Sequence, residues 1–302
     1  MKKNVLTFTV SLLLGGCASS PKITQYLGAS RPEKEIILDI EFVPQGEKLC
    51  GPAVLKMASK KHLPHTPFET YKEFAFHEKA EGSFKSDMIS STRRLGLAPY
   101  RIPNLEIMFQ EIDQGRPVMV FQNLGLSWYP KWHYALLIGY DSFRNIVYLH
   151  SGFTEKLKMN FGLFTRTWRR GEYWSYVVVP PQTIPAHVSI EEALDNAVVF
   201  ENIKNKDAAK IIYTRIAEKW PLRFEPHLGL ANLWYESKNL KAAIKEIQVA
   251  LKIAPNHPAL LYNLAVLYYE TGELKKAQIL KNKTLAAAPN DQRETYLKKF
   301  KF

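Results

Sequence analysis

Cys50 and His133 are the residues of this 302-residue chain whose settings point to covalent chemistry. A cysteine sulfur attacks a carbonyl carbon when an imidazole takes up its proton. Cys50 opens the run Cys50-Gly51-Pro52-Ala53, and Val54, Leu55, Met57 and Ala58 follow as an apolar stripe at helical spacing. Proline is tolerated in the first helical turn, so the run predicts a helix beginning at the cysteine. The positive end of that helix favours thiolate over thiol. His133 lies in the apolar run Trp132 to Asp141. A turn at Ser142 to Asn145 separates it from a second run, Ile146 to Leu149, which predicts a β-hairpin. His133 starts the first strand, where it can reach a neighbouring helix terminus. Gln45, five residues before Cys50, could donate its amide N–H to a developing oxyanion beside the Cys50 backbone N–H.

A third group would orient the imidazole. Asp141 is eight strand residues from His133, roughly 26 Å at ~3.3 Å per residue, too far unless the strand bends back. Two candidates stay open: Ser151, whose stretch faces His133 across the hairpin, and Asn123, at the end of the strand Val118 to Gln122. A serine hydroxyl would hold the ring without an anion's charge support. Trp128, Tyr129, Trp132 and Tyr134 cluster near His133 and either wall a substrate groove or pack the interior. His62-Leu63-Pro64-His65 has a metal-like spacing but no acidic or cysteine partner nearby, and reads as a surface loop. No metal or cofactor is implied. Each residue also has a plainer reading, Cys50 as a small core residue and His133 as a satisfied structural histidine.

The ends and the composition set the context for this chemistry. Lys2 and Lys3, the apolar stretch Val5 to Leu14 and the small residues before Cys17 read as an export signal, residues 1–17. The stretch is too short to span a bilayer, which takes ~20 apolar residues. The run Leu14-Gly15-Gly16-Cys17 resembles a bacterial lipobox, which implies cleavage before Cys17 and acylation of its thiol. Ala18 follows, where lipoproteins retained in the inner membrane often carry Asp, so the resemblance implies an outer-membrane anchor facing the periplasm. Lipidation of Cys17 would leave Cys50 a lone thiol in an oxidising compartment, a setting that favours a functional role. Residues 18–35 read as a flexible tether. The net charge of +12, or +10 once Lys2 and Lys3 leave with a signal, is scattered; it suits anionic headgroups or acidic partners, and no nucleic-acid motif accompanies it.

A first domain is expected over residues 36–181, entered by a strand from Ile36 to Val43 and closed by Trp168, the strand Tyr173 to Val179 and Pro180-Pro181. Residues 190–291 form a repeat. Pro221, Pro255 and Pro289 are 34 residues apart, and Ala197, Ala231 and Ala265, Ala209, Ala243 and Ala277, and Phe200, Trp234 and Tyr268 each share a phase. Small residues let helices approach, an aromatic fills the gap, and proline ends the second helix. This pattern resembles the tetratricopeptide repeat, with units 190–223, 224–257 and 258–291 and a tail at 292–302. Asn196 and Lys281 depart from it at positions where large apolar residues are usual. Such arrays bind protein partners.

Gln45, Cys50-Gly51-Pro52-Ala53 and His133-Tyr134 opening a strand that ends Gly139-Tyr140-Asp141 together resemble the C39-like branch of papain-like cysteine peptidases. The resemblance spans residues ~40–180 and implies an α+β domain with an N-terminal helix packed on an antiparallel sheet. It also implies Cys50 as nucleophile, His133 as base, Gln45 at the oxyanion, and a peptide or protein substrate. Two departures stand out. Gln45 precedes Cys50 by five residues where the family usually has six. The family's Asp-Pro pair on the returning strand is replaced by His150-Ser151-Gly152. No Walker-type phosphate loop is present, so transport and ATP use do not follow. The competing expectation is a catalytically inactive envelope adaptor that binds protein partners on the same scaffold.

Overall fold

The computed structural model describes residues 21–28, 32–44, 46, 48–300 and 302. Cys17 and Gln45 lie outside the described residues. The chain forms an α+β domain followed by an all-α array of paired helices.

The first domain runs β1 (Glu35–Ile37), α1 (Cys50–Ser59), α2 (Phe68–Ala75), α3 (Lys85–Arg94), β2 (Ala98–Arg101) and α4 (Leu105–Asp113). It continues through β3 (Val118–Asn123), β4 (Trp132–Asp141), β5 (Ile146–Ser151), β6 (Thr154–Asn160), α5 (Phe161–Arg170) and β7 (Ser175–Val179). The strands make one seven-stranded sheet in the order β2-β7-β3-β4-β5-β6, with β1 paired to β4 outside that path and every pairing antiparallel.

β4 is the central element. Its continuous apolar run reads as a strand buried on both faces, and alternation sends its side chains into two cores. Tyr134, Leu136 and Ile138 meet Val54, Leu55 and Met57 of α1, with Tyr71 and Met88. Ala135 and Leu137 meet Phe109 of α4 and Phe161, Phe164 and Trp168 around α5. One edge of β4 serves two partners in succession. β3 pairs from Asn123↔Trp132 to Val118↔Leu137, and β1 from Ile37↔Gly139 to Glu35↔Asp141. Gly139 permits the second pairing, because a Cβ there would stand 2.1 Å from the Ile36 carbonyl oxygen.

The strand expected from Ile36 to Val43 is shorter than its composition suggests. It pairs only over Glu35–Ile37, and then Leu38 donates to the Ile138 carbonyl (2.8 Å) while the Ile40 carbonyl is taken by His150 Nε2 (2.9 Å). The expected tether also differs. Residues 21–28 pack on the domain: Ile23 and Leu27 are buried, Tyr26 meets Phe161 edge-on, and Asn145 bonds both the Ile23 N–H (2.9 Å) and the Pro21 carbonyl (3.0 Å). Apolar residues at spacings of three and four give this short turn one buried face, which a purely flexible segment lacks.

The second half consists of α6 (Ile190–Asn202), α7 (Lys206–Lys219), α8 (Glu225–Glu236), α9 (Leu240–Ile253), α10 (Pro258–Glu270), α11 (Leu274–Ala287) and α12 (Asn290–Lys299). Ala197, Ala209, Ala231, Ala243, Ala265 and Ala277 are all buried at helix contacts. Pro221, Pro255 and Pro289 each follow a helix end by two residues. Asn205 and Asn239 cap α7 and α9 through their side-chain oxygens. The segment expected as a tail is the helix α12, which seats Tyr296 and Phe300 against the Tyr262 ring. Its sequence NDQRETYLKK carries too few apolar residues to announce a helix.

The repeats dock on the edge of the sheet. Edge strands expose unpaired backbone groups that a fold must cover. On β2 the Pro99 carbonyl accepts from Asn196 Nδ2 (3.0 Å), and the Arg101 N–H donates to Glu192 Oε1 (2.9 Å), both from α6. Arg93 Nε donates to Asn196 Oδ1 (3.1 Å). Asn196 thus departs from the repeat pattern because it faces the first domain. Lys281 departs because its ammonium lies over the rings of Phe300 and Phe302, 5.4 Å from each centroid.

Candidate active site

α1 begins at Cys50, with Leu49 as its cap and the Ala53 N–H closing the first turn on the Leu49 carbonyl (3.1 Å). Gly51 has a steric reason. A Cβ there would lie 2.2 Å from Ser83 Oγ and 2.6 Å from Ser83 Cβ, so glycine lets the 80–86 strap close over the helix start. The Ser83 carbonyl accepts from the Tyr134 hydroxyl at 3.3 Å, and Lys48 pairs with Glu81 at 2.6 Å. The strap is thereby tied both to β4 and to the segment entering α1.

Cys50 and His133 line one cleft of about 1050 Å³, together with strap residues 80–86, Phe121, Trp132, Tyr134, Gly152 and Phe153. No residue of the repeats lines it. The backbone of Tyr134, the residue following His133, is among the groups that favour the thiolate form of Cys50. Cys50 is a free cysteine.

The candidates for a third group separate cleanly. His133 Nε2 lies 2.9 Å from Ser151 Oγ across the β4–β5 hairpin. That contact engages Nε2, the ring nitrogen on the hairpin side. Asn123 is occupied elsewhere: its Oδ1 accepts from the Gly125 and Lys131 N–H groups (2.9 Å each), shaping the loop that leads into β4. Asp141 sits at the far end of β4, opposite Glu35, and bonds Arg144.

The electrostatics differ from the expectation of a thiolate at a helix tip. Burial pushes the Cys50 thiol up, and the backbone groups of Tyr134, Gly51 and Cys50 only partly offset it. Burial, with the Lys131 cation in support, lowers His133 to about 4. The resting site therefore holds a neutral thiol and a neutral imidazole rather than an ion pair. Chemistry in such a site proceeds by moving the sulfur's proton to imidazole as the sulfur attacks.

Three features were not singled out in the sequence. The strap 80–86 carries no local motif, and only the Gly51 position hints that something approaches the helix start. Ser83 Oγ is buried without a hydrogen-bond partner among the described residues. Lys131 is a cleft cation for which no carboxylate partner occurs among the described residues. The pair His62 and His65 gathers no third ligand; among the described residues no cluster of His, Cys, Asp or Glu could hold a metal ion.

A family model described as tetratricopeptide repeat matches residues 247–297. No curated protein matches the chain. Among solved structures, the chain is similar to a C39-like peptidase from Bacillus anthracis at 15% identity and a TM-score of 0.42, over 49% of this chain and 98% of that one. It is also similar to a double glycine motif protease from an AMS/PCAT transporter, solved with a leader peptide. There the identity is 17% and the TM-score 0.37, over 50% and 99% of the two chains. The type III secretion translocator chaperone SycD of Yersinia enterocolitica matches 36% of this chain and 83% of its own, at 14% identity and a TM-score of 0.34. The molecule is an α+β domain joined to an all-α array of paired helices, within which residues 247–297 match the tetratricopeptide-repeat model.

Proposed function

We propose that the chain is a thiol hydrolase acting on peptide or amide bonds, anchored by lipid in the cell envelope. Cys50 Sγ attacks the carbonyl carbon while its proton passes to His133 Nδ1. His133 then gives that proton to the departing amine, leaving a thioester on Cys50. Water, deprotonated by His133, attacks the thioester carbon; the carboxylate leaves and the thiol recovers a proton. Ser151 orients the imidazole through Nε2. Gln45 and the Cys50 N–H hold the oxyanion. The observation that carries this reading is the meeting of the α1 start and the β4 start in one cleft, with His133 fixed by Ser151. Incubation with a peptide library tests it: the wild-type chain releases new amine termini, and Cys50→Ala releases none. Equal product from both chains would end the reading.

A second reading is an inactive adaptor on the same scaffold. It is favoured by the absence, among the described residues, of an anion paired with His133 and by burial that raises the Cys50 thiol. Complementation decides between them, because an adaptor works equally well with Cys50→Ala. The repeats, which leave the cleft free, would recruit a protein partner or substrate. The proposed anchor is acylated Cys17 at the outer membrane, facing the periplasm. Labelled palmitate should enter the wild-type chain and not Cys17→Ala.

A further inference from the structure

The connection between β3 and β4 is a protruding finger. Leu126, Trp128, Tyr129 and Trp132 are 56%, 80%, 73% and 50% exposed, and every residue from 126 to 132 is exposed. Monomer surfaces rarely present so much contiguous apolar area without a partner.

The finger is built rather than loose. Leu124 donates to the Lys131 carbonyl (2.9 Å), while Leu126 and Tyr129 exchange backbone bonds at 3.1 and 3.2 Å. Asn123 Oδ1 ties its two ends together. A Cβ at Gly125 would stand 2.3 Å from the Tyr129 carbonyl oxygen, so glycine permits the tight turn. Backbone groups of the turn close on one another. What the finger offers outward is side chains.

Cations stand in the finger and at its base, while Glu81, which lines the same cleft as Lys131, pairs with Lys48. Segments 124–134 and 161–171 carry Lys131, Arg166, Arg169 and Arg170 and no acidic residue. Arg170 Nη2 holds the Asn123 carbonyl at the finger's base (2.9 Å), and Arg166 and Arg169 are exposed. Glu172, the residue after the second segment, pairs with Lys85 (2.6 Å).

Shape and charge together select the occupant. Sites for small ligands and peptide side chains are concave, whereas Leu126, Trp128 and Tyr129 stand exposed outside the cleft that Lys131 and Trp132 line. Trp and Tyr favour the boundary between water and hydrocarbon, where ring and polar tip are both satisfied. Lys and Arg around them are attracted to anionic headgroups. We propose that the finger docks into the surface of an anionic phospholipid bilayer. Trp132, stacked on Phe121 at 5.3 Å and lining the cleft, would then bring the cleft mouth to the membrane. This contact is separate from any acyl anchor and does not depend on catalysis.

Vesicle flotation tests it on the full chain carrying Cys17→Ser, so that no acyl group contributes and any effect of the N-terminal residues is common to all variants. The vesicles are phosphatidylcholine with or without phosphatidylglycerol. Binding is expected to be stronger with phosphatidylglycerol and to weaken with salt. Trp128→Ser/Tyr129→Ser should lower it by roughly tenfold or more. Lys131→Glu should lower it by about fivefold or more. These side chains are exposed, so an unchanged thermal melt checks the fold. Brominated lipid should quench tryptophan emission less in Trp128→Phe than in the parent. Equal flotation of the double variant and its parent, or equal binding to both vesicle types, overturns the proposal. So does a double variant that floats normally but loses Cys50-dependent peptide turnover, which would assign the finger to substrate.

Discussion

The cleft and the domain junction differ in how their central side chains are matched, although each holds buried polar atoms with no hydrogen bond among the described residues: Ser83 Oγ in the cleft, Tyr100 Oη and His187 Nδ1 at the junction. At the junction Asn196 uses both ends of its amide, on Arg93 and the Pro99 carbonyl. His187 nearby meets the Arg101 carbonyl at 3.0 Å and Glu111 at 3.3 Å, and Glu111 also bonds Arg116. In the cleft, among the described residues, His133 meets the Ser151 hydroxyl and Ser83 Oγ has no partner, while burial raises the Cys50 thiol. Fully matched polar groups rigidify a contact, whereas partly matched ones keep capacity for another molecule. Asn196 ties the junction together, whereas His133 and Ser83 leave hydrogen-bonding capacity in the cleft.

Removing the sulfur should break the comparison most strongly. Cys50→Ala should lower peptide hydrolysis by about a thousandfold or more, read by amine release, while leaving the thermal melt within a few degrees. The buried neutral His133 should make the fold acid-sensitive. Its proton affinity is lowered from 6.5 to about 4 on folding, so the unfolded chain binds more protons between these values. Stability is complete above the higher value and declines as pH falls toward the lower one. The loss is on the order of 3 kcal/mol at most. Denaturant titrations from neutral pH to the acid limit should show that extra loss in the wild type and not in His133→Asn.

Asn196→Ala leaves the Pro99 carbonyl uncovered and Arg93 short of an acceptor. It should cost about 1–3 kcal/mol in thermal or denaturant unfolding, with the alkylation rate of Cys50 unchanged. The smallest effect belongs to Ser151. Ser151→Asp places an anion beside the imidazole and raises its affinity for a proton, so hydrolysis should rise by about tenfold. Ser151→Ala should lower it by a few-fold.

The same contrast governs what could be read from the residues alone. Repeats stack on nearest neighbours, so every unit repeats its contacts and a 34-residue phase of Ala, aromatic and Pro shows on the page. The His133 hairpin was legible because its apolar run and turn are local. Ser151 and Asn123 could not be ranked, because that choice depends on where the finger draws Asn123. The packing of Ile23 and Leu27, the strap over Gly51 and the docking role of Asn196 rest on partners far away in the sequence. Asn196 registered only as an irregular repeat position. Cys50 at a helix start suggested a thiolate, yet burial, which no local pattern reports, outweighs the backbone groups.

The central claim is that His133 serves as proton acceptor for Cys50. Its most direct test is the pH dependence of Cys50 alkylation by iodoacetamide, followed by mass spectrometry in the wild type and in His133→Ala. The account predicts a wild-type rate that stays level from neutral pH down toward the protonation of His133 near 4. In His133→Ala the rate should instead fall about tenfold with each unit of acidification, as for an unassisted thiol. Identical slopes in the two chains would contradict it.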